Sequence, residues 1–272
     1  MKNVSVVILV RERHSALCQT MLGLAKGQHL PGELIVVNMN QIPGELPDMP
    51  FPVRQISICS VAMLPLAEAR NEGMAASFYK RIVFLDVDCI PAPNMLTIYG
   101  EQWDDNQLLS GQVRYLPALA AGKAYDQENL HAHSIADPLR SGLAELPYEL
   151  FWSLNFGSSK TLFALIGGFD VGFQGYGAED TDFAFAARQK NVPVKNIQAT
   201  AYHQYHESYS PPLNHLSDII ANANRFYIKW KKWPMEGWLL KFEEAGLISR
   251  TGTNIQLLRK PTHVEIQLAL KI

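Results

Sequence analysis

The sequence predicts an α/β protein with a mostly parallel central sheet. Three observations carry that expectation. The run VSVVILV at residues 4–10 is unbroken and β-branched, as in a strand covered on both faces. Strand-like and helix-like segments then alternate up to residue 88. Apolar residues make up 47% of the chain and charged residues 18%, enough for a sizeable core and too few charges for disorder.

The elements follow in order. HSALCQTMLGLAKG (14–27) has helical spacing and ends at Gly27. GELIVVNMN (32–40) is a second buried strand, and VRQISICS (53–60) a third after a loop rich in Pro and Gly. LAEARNEGMAASFY (66–79) predicts a helix and RIVFLDVD (81–88) the next strand. Strand–helix–strand repeats need crossovers, so the strands run parallel. Residues 117–150 lose regular period and predict long loops or irregular helices, often a sign of function. EDTDFAFAARQKN (179–191) is helical, VPVKNIQATAYHQ (192–204) a strand, and HLSDIIANANRFYIKWKKW (215–233) a helix ended by Pro234. TNIQLLRK and HVEIQLALKI predict two C-terminal strands, paired as a hairpin across Pro261 or at an edge.

Composition excludes several classes. A length of 272 residues suits one large domain or two small ones. A net charge of -2 argues against a nucleic-acid binder. No uninterrupted apolar run is long enough for a transmembrane helix. MKNVSVVILVRERH lacks a small-residue cleavage site and predicts a first strand, not a signal peptide. Cys18, Cys59 and Cys89 fit neither a disulfide framework nor a CxxC site, which points to a reducing, cytoplasmic setting. RFYIKWKKWPMEGWLL (225–240) mixes Lys with Trp. Packing of its aromatics on the core is favoured over peripheral contact with a membrane.

KRIVFLDVDCIPAPNM (80–95) carries the first chemistry. Ligands of open α/β sheets sit outside the carboxyl ends of strands, where Asp86 and Asp88 fall. Alternation along a strand would aim both carboxylates one way. Such a pair repels unless a cation lies between, and Mg²⁺ or Mn²⁺ with a diphosphate is the natural occupant. A solvated strand end is the plain alternative. GGFDVGFQGYGAEDTDF (167–183) is Gly-rich and ends in Glu179, Asp180 and Asp182 at a predicted helix start. The helix dipole alone favours acids there. The glycines before them imply backbone close to a ligand. AYHQYHE (201–207) offers His203 and His206 as further metal ligands. VRERH (10–14) offers Arg11 and Arg13 for phosphate or a base edge. His131 and His133 fit surface histidines.

ILVRERHSAL, LAEARNEGM, VFLDVDCIP, NFGSSKTLF and GGFDVGFQGYGAEDTDF, in this order, resemble β-1,4-galactosyltransferases and the related bacterial family 2 and chondroitin-polymerase-like glycosyltransferases. The resemblance spans roughly residues 4 to 206. It implies the glycosyltransferase A (nucleotide-diphospho-sugar transferase) fold as one domain, 1–272. Residues 1–100 would be the nucleotide-binding half, 101–245 the acceptor and catalytic half, and 246–272 the C-terminal strands. It also implies metal-dependent, inverting transfer of a galactose-, N-acetylgalactosamine- or glucose-type sugar from a UDP-sugar to a glycan or other hydroxyl, as in polysaccharide biosynthesis.

The resemblance assigns roles. Val10, Arg11, Arg13, Asn38 and Val87 would line the nucleotide, with Asp86 nearer the ribose and Arg70 near the diphosphate. Asp88 would bind Mn²⁺ or Mg²⁺, with Asp86 beside it and His203 or His206 completing the site; His203, immediately after the strand, is favoured. Tyr176 and Gly177 would meet donor and acceptor sugars. Glu179 would hold the acceptor and Asp180 would be the catalytic base. There are departures. Asn38 stands where many family 2 enzymes carry Asp, and Ala178 replaces a common glycine. Strand one also begins almost at the first residue, where the animal enzymes carry a membrane anchor.

Two other classes are weighed. A haloacid-dehalogenase-type phosphatase places its DxD on the first strand, whereas here the pair follows several elements. A non-catalytic sugar-nucleotide or glycan-binding module would not need Asp180 together with Asp88.

Overall fold

Every residue of β1 (Val4–Val10) is buried. A strand covered on both faces has no polar side, which is why its sequence does not alternate. The covering elements come next in the chain. Helix α1 (His14–Ala25) packs Leu17, Met21 and Leu24 on one face, at helical spacing. β2 (Glu33–Met39) is buried throughout, and β3 (Val53–Ile58) is the partly exposed edge. Helix α2 (Leu66–Ala76) covers the other face. It lies so close that a Cβ on Gly73 would sit 2.4 Å from Val7 Cγ1.

The computed structural model describes residues 3–60, 63–119, 123 and 125–271. Positions 120–122 and 124 of the irregular stretch 117–150, and both ends of the expected 1–272 unit, lie outside the described residues. Further along come β4 (Arg81–Leu85), β5 (Cys89–Pro91), α3 (Met95–Gln102) and β6 (Leu108–Tyr115). Among its described residues the irregular stretch holds α4 (Leu130–His133), β7 (Ile135–Ala136) and one 3₁₀ turn, Tyr148–Leu150. Then follow β8 (Asn155–Ser159), α5 (Lys160–Ile166), α6 (Glu179–Gln189), β9 (Val194–His203) and β10 (Ser208–Tyr209). The chain finishes with α7 (Leu216–Trp230), α8 (Glu236–Glu244), β11 (Ile248–Arg250), β12 (Ile255–Leu257), α9 (His263–Leu268) and β13 (Leu270–Lys271).

The main sheet runs β3-β2-β1-β4-β8-β6-β9-β5, with β7 beside β6. Its first four strands are parallel, as the α1 and α2 crossovers require. In the second half β8 is antiparallel to both β4 and β6, while β6 and β9 are parallel. The expected α/β class is found, with its parallel pairing concentrated at the N-terminal side.

Two expectations are corrected. Strand 81–88 ends at Leu85, which pairs with Asn155, the first residue of β8; beyond it the ladder has no partner. Asp86 N donates to Leu154 O, and Asp86 O accepts from Cys89 N at 3.0 Å. Asp86, Val87 and Asp88 therefore lie in a tight turn and not on an alternating strand. The C-terminal runs form no hairpin across Pro261. β12 pairs with β11, and β13 pairs with β10. HVEIQL is helix α9, because Thr262 Oγ1 accepts from Glu265 N while the Glu265 carboxylate accepts from Thr262 N. The Thr-x-x-Glu signature outweighs the apolar alternation that predicted a strand.

The aromatics of 225–240 mostly face inward. Phe226 is fully buried, Trp233 stacks on Tyr227 at 4.2 Å, and Trp230 Nε1 donates to Asp182. No helix among the described residues is long and apolar enough to cross a membrane. A second aromatic cluster anchors the Gly-rich segment: Phe169 stacks on Phe183 at 4.3 Å, and Phe84 on Phe156 at 4.6 Å.

The register of β6 shifts between Gly111 and Val113. Asn155 fills that irregularity. Its Nδ2 donates to Gln112 O (3.2 Å) and Ala199 O (2.8 Å), and its Oδ1 accepts from Tyr99 Oη. Asn155→Leu keeps the volume and orphans these buried partners. It should cost at least about 2 kcal/mol, measured as a lower urea midpoint. An unchanged midpoint would show that the register holds without Asn155.

Candidate active site

Three strands side by side build the first cluster. Tyr115 of β6 and Cys89 of β5 both pair with His203 of β9. Gln204 N then donates to Asp88 O at 2.7 Å, locking the acidic turn against the end of β9. His203 Nε2 lies 3.4 Å from Asp88 Oδ1, and His206 Nε2 lies 3.5 Å from Asp88 Oδ2. The ligand atoms of all three residues fall within 4.8 Å of one another.

The residues fit a cation. Asp88 is 3% exposed, and its Oδ1 has no hydrogen-bond partner, a costly state for a buried oxygen. Burial holds the His203 imidazole below the usual histidine range, with His206 adding to it and Asp88 opposing. A neutral ring keeps its lone pair for a metal. Two imidazoles with a carboxylate favour a first-row transition ion over Mg²⁺, which prefers oxygen alone. The sequence left His203 and His206 as alternatives; the structure brings both together. Asp86 is not among these grouped ligands, because the turn removes the alternation that would have aimed it with Asp88. The Arg13 guanidinium forms an ion pair with Asp88. Arg11 pairs with neighbouring Glu12 at 3.6 Å, on the surface.

Around this cluster stand three more carboxylates. Arg70 Nη1 meets Glu179 Oε1 at 3.1 Å, both buried, with the guanidinium 5.0 Å above the Phe169 ring. Glu179, expected to hold an acceptor hydroxyl, is thus engaged by the arginine expected at the diphosphate. Asp86 is pushed up to about 7, by burial first and by Asp88 second. Asp180 is pushed up to about 7, by burial and then by Glu179. Its Oδ1 accepts from Thr181 N at 2.7 Å in the first turn of α6. Asp182, the third acid of that turn, is structural: it accepts from Lys229 and Trp230 and ties α6 to α7.

The Gly-rich loop is shaped by α7 and α8. Gly175, Gly177 and Ala178 all have positive φ. A Cβ at Gly175 would meet Asp218 Oδ2 at 2.3 Å, and one at Gly177 would meet Met235 Sδ at 2.9 Å. Ala178 takes φ 72° despite its methyl, a mildly strained state. Asn222 Nδ2 donates to Gln174 O and Gly177 O, both at 2.9 Å. Asp218 Oδ2 accepts from Tyr176 N at 3.2 Å. The Tyr176 ring, 37% exposed, stacks on His215 at 4.4 Å and lies 6.0 Å from Trp238. Asn222, Asp218, His215 and Trp238 were not anticipated. The only signal was an amide, Asn222, in the apolar stripe of α7.

Three expected nucleotide contacts are occupied internally. Asn38 is 1% exposed, donates to Gln55 Oε1 at 3.1 Å and accepts from Gln41 at 2.9 Å. Val10 and Val87 are buried core side chains, and Val87 O accepts from Thr20 Oγ1.

Comparison with known proteins now bears on this geometry. A family model described as the N-terminal domain of galactosyltransferase matches residues 138–209, a span that contains Glu179, Asp180, His203 and His206. No curated protein matches the chain. Residues 1–349 of S. aureus TarS are 14% identical, with a TM-score of 0.50 over 83% of this chain and 65% of that one. GalNAc-T7, crystallised with UDP, GalNAc and Mn²⁺, is 17% identical, with a TM-score of 0.56 over 89% of this chain and 54% of that one. This chain thus spans less than two-thirds of the length of either. Its fold is the glycosyltransferase A fold, and over residues 138–209 it is similar to the galactosyltransferases.

Proposed function

We propose that the chain is a metal-dependent, inverting glycosyltransferase that moves a sugar from a UDP-sugar to a hydroxyl of a glycan or similar acceptor. The observation that carries this is the Asp88–His203–His206 cluster with its unpaired buried oxygen, beside the Asp86, Glu179 and Asp180 carboxylates. GalNAc-T7, of the same fold, binds UDP with Mn²⁺, which supports a similar pairing here. Residues 1–100 supply the donor half and 101–245 the acceptor half.

Asp88, His203 and His206 would hold the cation. When bound, a divalent ion neutralises negative charge that develops on a departing diphosphate. Arg13, already at Asp88, adds a guanidinium on the same side. Tyr176 and the backbone of Gly177 form a wall where two sugars would meet. Asp180 removes the acceptor proton as the acceptor oxygen bonds to the anomeric carbon and the nucleotide diphosphate leaves. As the resemblance to the galactosyltransferases implies, this single displacement inverts the anomeric carbon. Glu179 stays paired with Arg70 beside Asp180.

The direct test is a panel of UDP-sugars with Mn²⁺, with UDP release measured with and without candidate sugar acceptors. One donor should be turned over above background, and EDTA should stop it until Mn²⁺ is restored. Undiminished release in chelated protein removes the metal from the reaction. Donor binding without release under any condition points to a binding module instead.

Asp180→Asn keeps the shape and removes the base. kcat should fall about 10²–10⁴-fold while donor Kd is nearly unchanged. Near-wild-type kcat would shift the role elsewhere. The pH dependence has a definite sign. A carboxyl raised to about 7 is protonated and idle below that pH and ionised above it, so kcat should rise with pH through about 7. The same raised value means that its contribution to stability is present at low pH and lost as pH rises through about 7. The Asn variant should therefore melt no lower than wild type above pH 7. A flat wild-type kcat profile from pH 5 to 9 would contradict the assignment.

A further inference from the structure

Behind the metal cluster lies a buried polar chain that the proposed reaction does not use. Tyr115 Oη donates to Asp137 Oδ2 at 3.1 Å, and Arg140 Nε donates to the same oxygen at 3.2 Å. Asp137 Oδ1 accepts from the backbone N–H groups of Leu139 and Arg140 at 2.9 and 3.0 Å. Four donors saturate this carboxylate. Arg140 is 5% exposed, lies 4.4 Å over the Trp152 ring, and leaves its Nη2 without a partner. The segment is also clamped to β6 by Arg114, which donates to Ser134 Oγ and O, both at 2.7 Å.

A buried ion pair of this kind seldom adds net stability, because desolvation offsets the attraction. Its use must be sought in what it orients, and that is Tyr115. The Tyr115 ring sits 5.4 Å from the His203 ring, on the neighbouring strand and in register with it. The His206 ring lies 5.2 Å from His203. His203 thus has the anchored phenol ring and the second histidine as its ring neighbours.

We propose that Tyr115, anchored by Asp137 and Arg140, is a positioning residue that fixes the His203 imidazole for the cation. This rests on the metal site proposed above. Residues that orient metal ligands typically change affinity 10–100-fold when removed. Packing that locks a ligand's rotamer acts through the same orientation.

The test uses the full chain stripped of metal, without donor or acceptor. Mn²⁺ affinity is read from the EPR signal of free Mn²⁺. Wild type should bind, and His203→Ala should bind more weakly. Tyr115→Phe keeps the ring and cuts the anchor, and should raise the Mn²⁺ Kd about 10-fold. Asp137→Asn, of the same shape, should move it in the same direction and gives a second reading should the first variant not fold. Tyr148→Phe removes a comparable hydrogen bond, to Val192 O at 3.0 Å, away from the cluster and should leave Kd unchanged. Wild-type Kd in Tyr115→Phe overturns the positioning role and leaves the metal site standing. An equal loss in Tyr148→Phe overturns it too, as general loosening. If His203→Ala leaves Kd unmoved, the metal site itself is wrong and the proposal falls with it.

Discussion

Four carboxylates, Asp86, Asp88, Glu179 and Asp180, gather at one edge of the central sheet, and each needs a countercharge or a proton. Two arginines answer part of that need. Arg70 takes Glu179, and Arg13 takes Asp88. Asp86 and Asp180 have no such partner, and burial beside a like charge pushes both up to about 7. Such an arrangement is poor for stability and suited to a site that receives a cation and a proton in turn. Carboxylates with different environments can take different roles. In the proposed reaction Asp88, beside the histidines, would hold the metal, and Asp180 would be the base.

Strand register converts this electrostatic need into geometry. His203 stands between Tyr115 and Cys89 because β9 pairs with β6 on one side and β5 on the other. One residue of slip would turn His203 to the opposite face. Asn155 stabilises the irregular point of β6 from the neighbouring strand, so the ligand cluster depends on an amide that touches none of its members.

The opposite wall of the site is set by helices. The loop before α6 takes backbone conformations that favour glycine, and Asn222, Asp218 and Met235 fill the space their missing side chains leave. The Phe169–Phe183 stack holds the two ends of the segment in the core. Asp182 then binds α6 to α7 through Lys229 and Trp230. These contacts tie the segment that carries Tyr176 and Asp180 to α7 and to the core.

Much of this was determined by the sequence alone. Unbroken burial dictates unbroken apolar runs, so β1 and β2 appear in the sequence almost residue for residue. The acids after the strand at 81–85 and those after the Gly-rich run were singled out from the sequence, and the structure brings Asp86, Asp88, Glu179 and Asp180 near one another. The reading of residues 263–272 as a strand followed apolar alternation and missed the capping pair of Thr262 and Glu265. The rest was decided only by tertiary structure. The chain turns at 86–88, where Asp86 N donates to Leu154 O and Asp86 O accepts from Cys89 N. The closeness of both His203 and His206 to Asp88 follows from where β9 ends against that turn. Arg70 finds Glu179 across 109 residues, and no local pattern records that pairing. Asn38 looked free for a nucleotide until Gln41 and Gln55 were seen to engage it. Local sequence encodes burial and backbone freedom, whereas the partner of a buried charge is chosen by the fold that surrounds it.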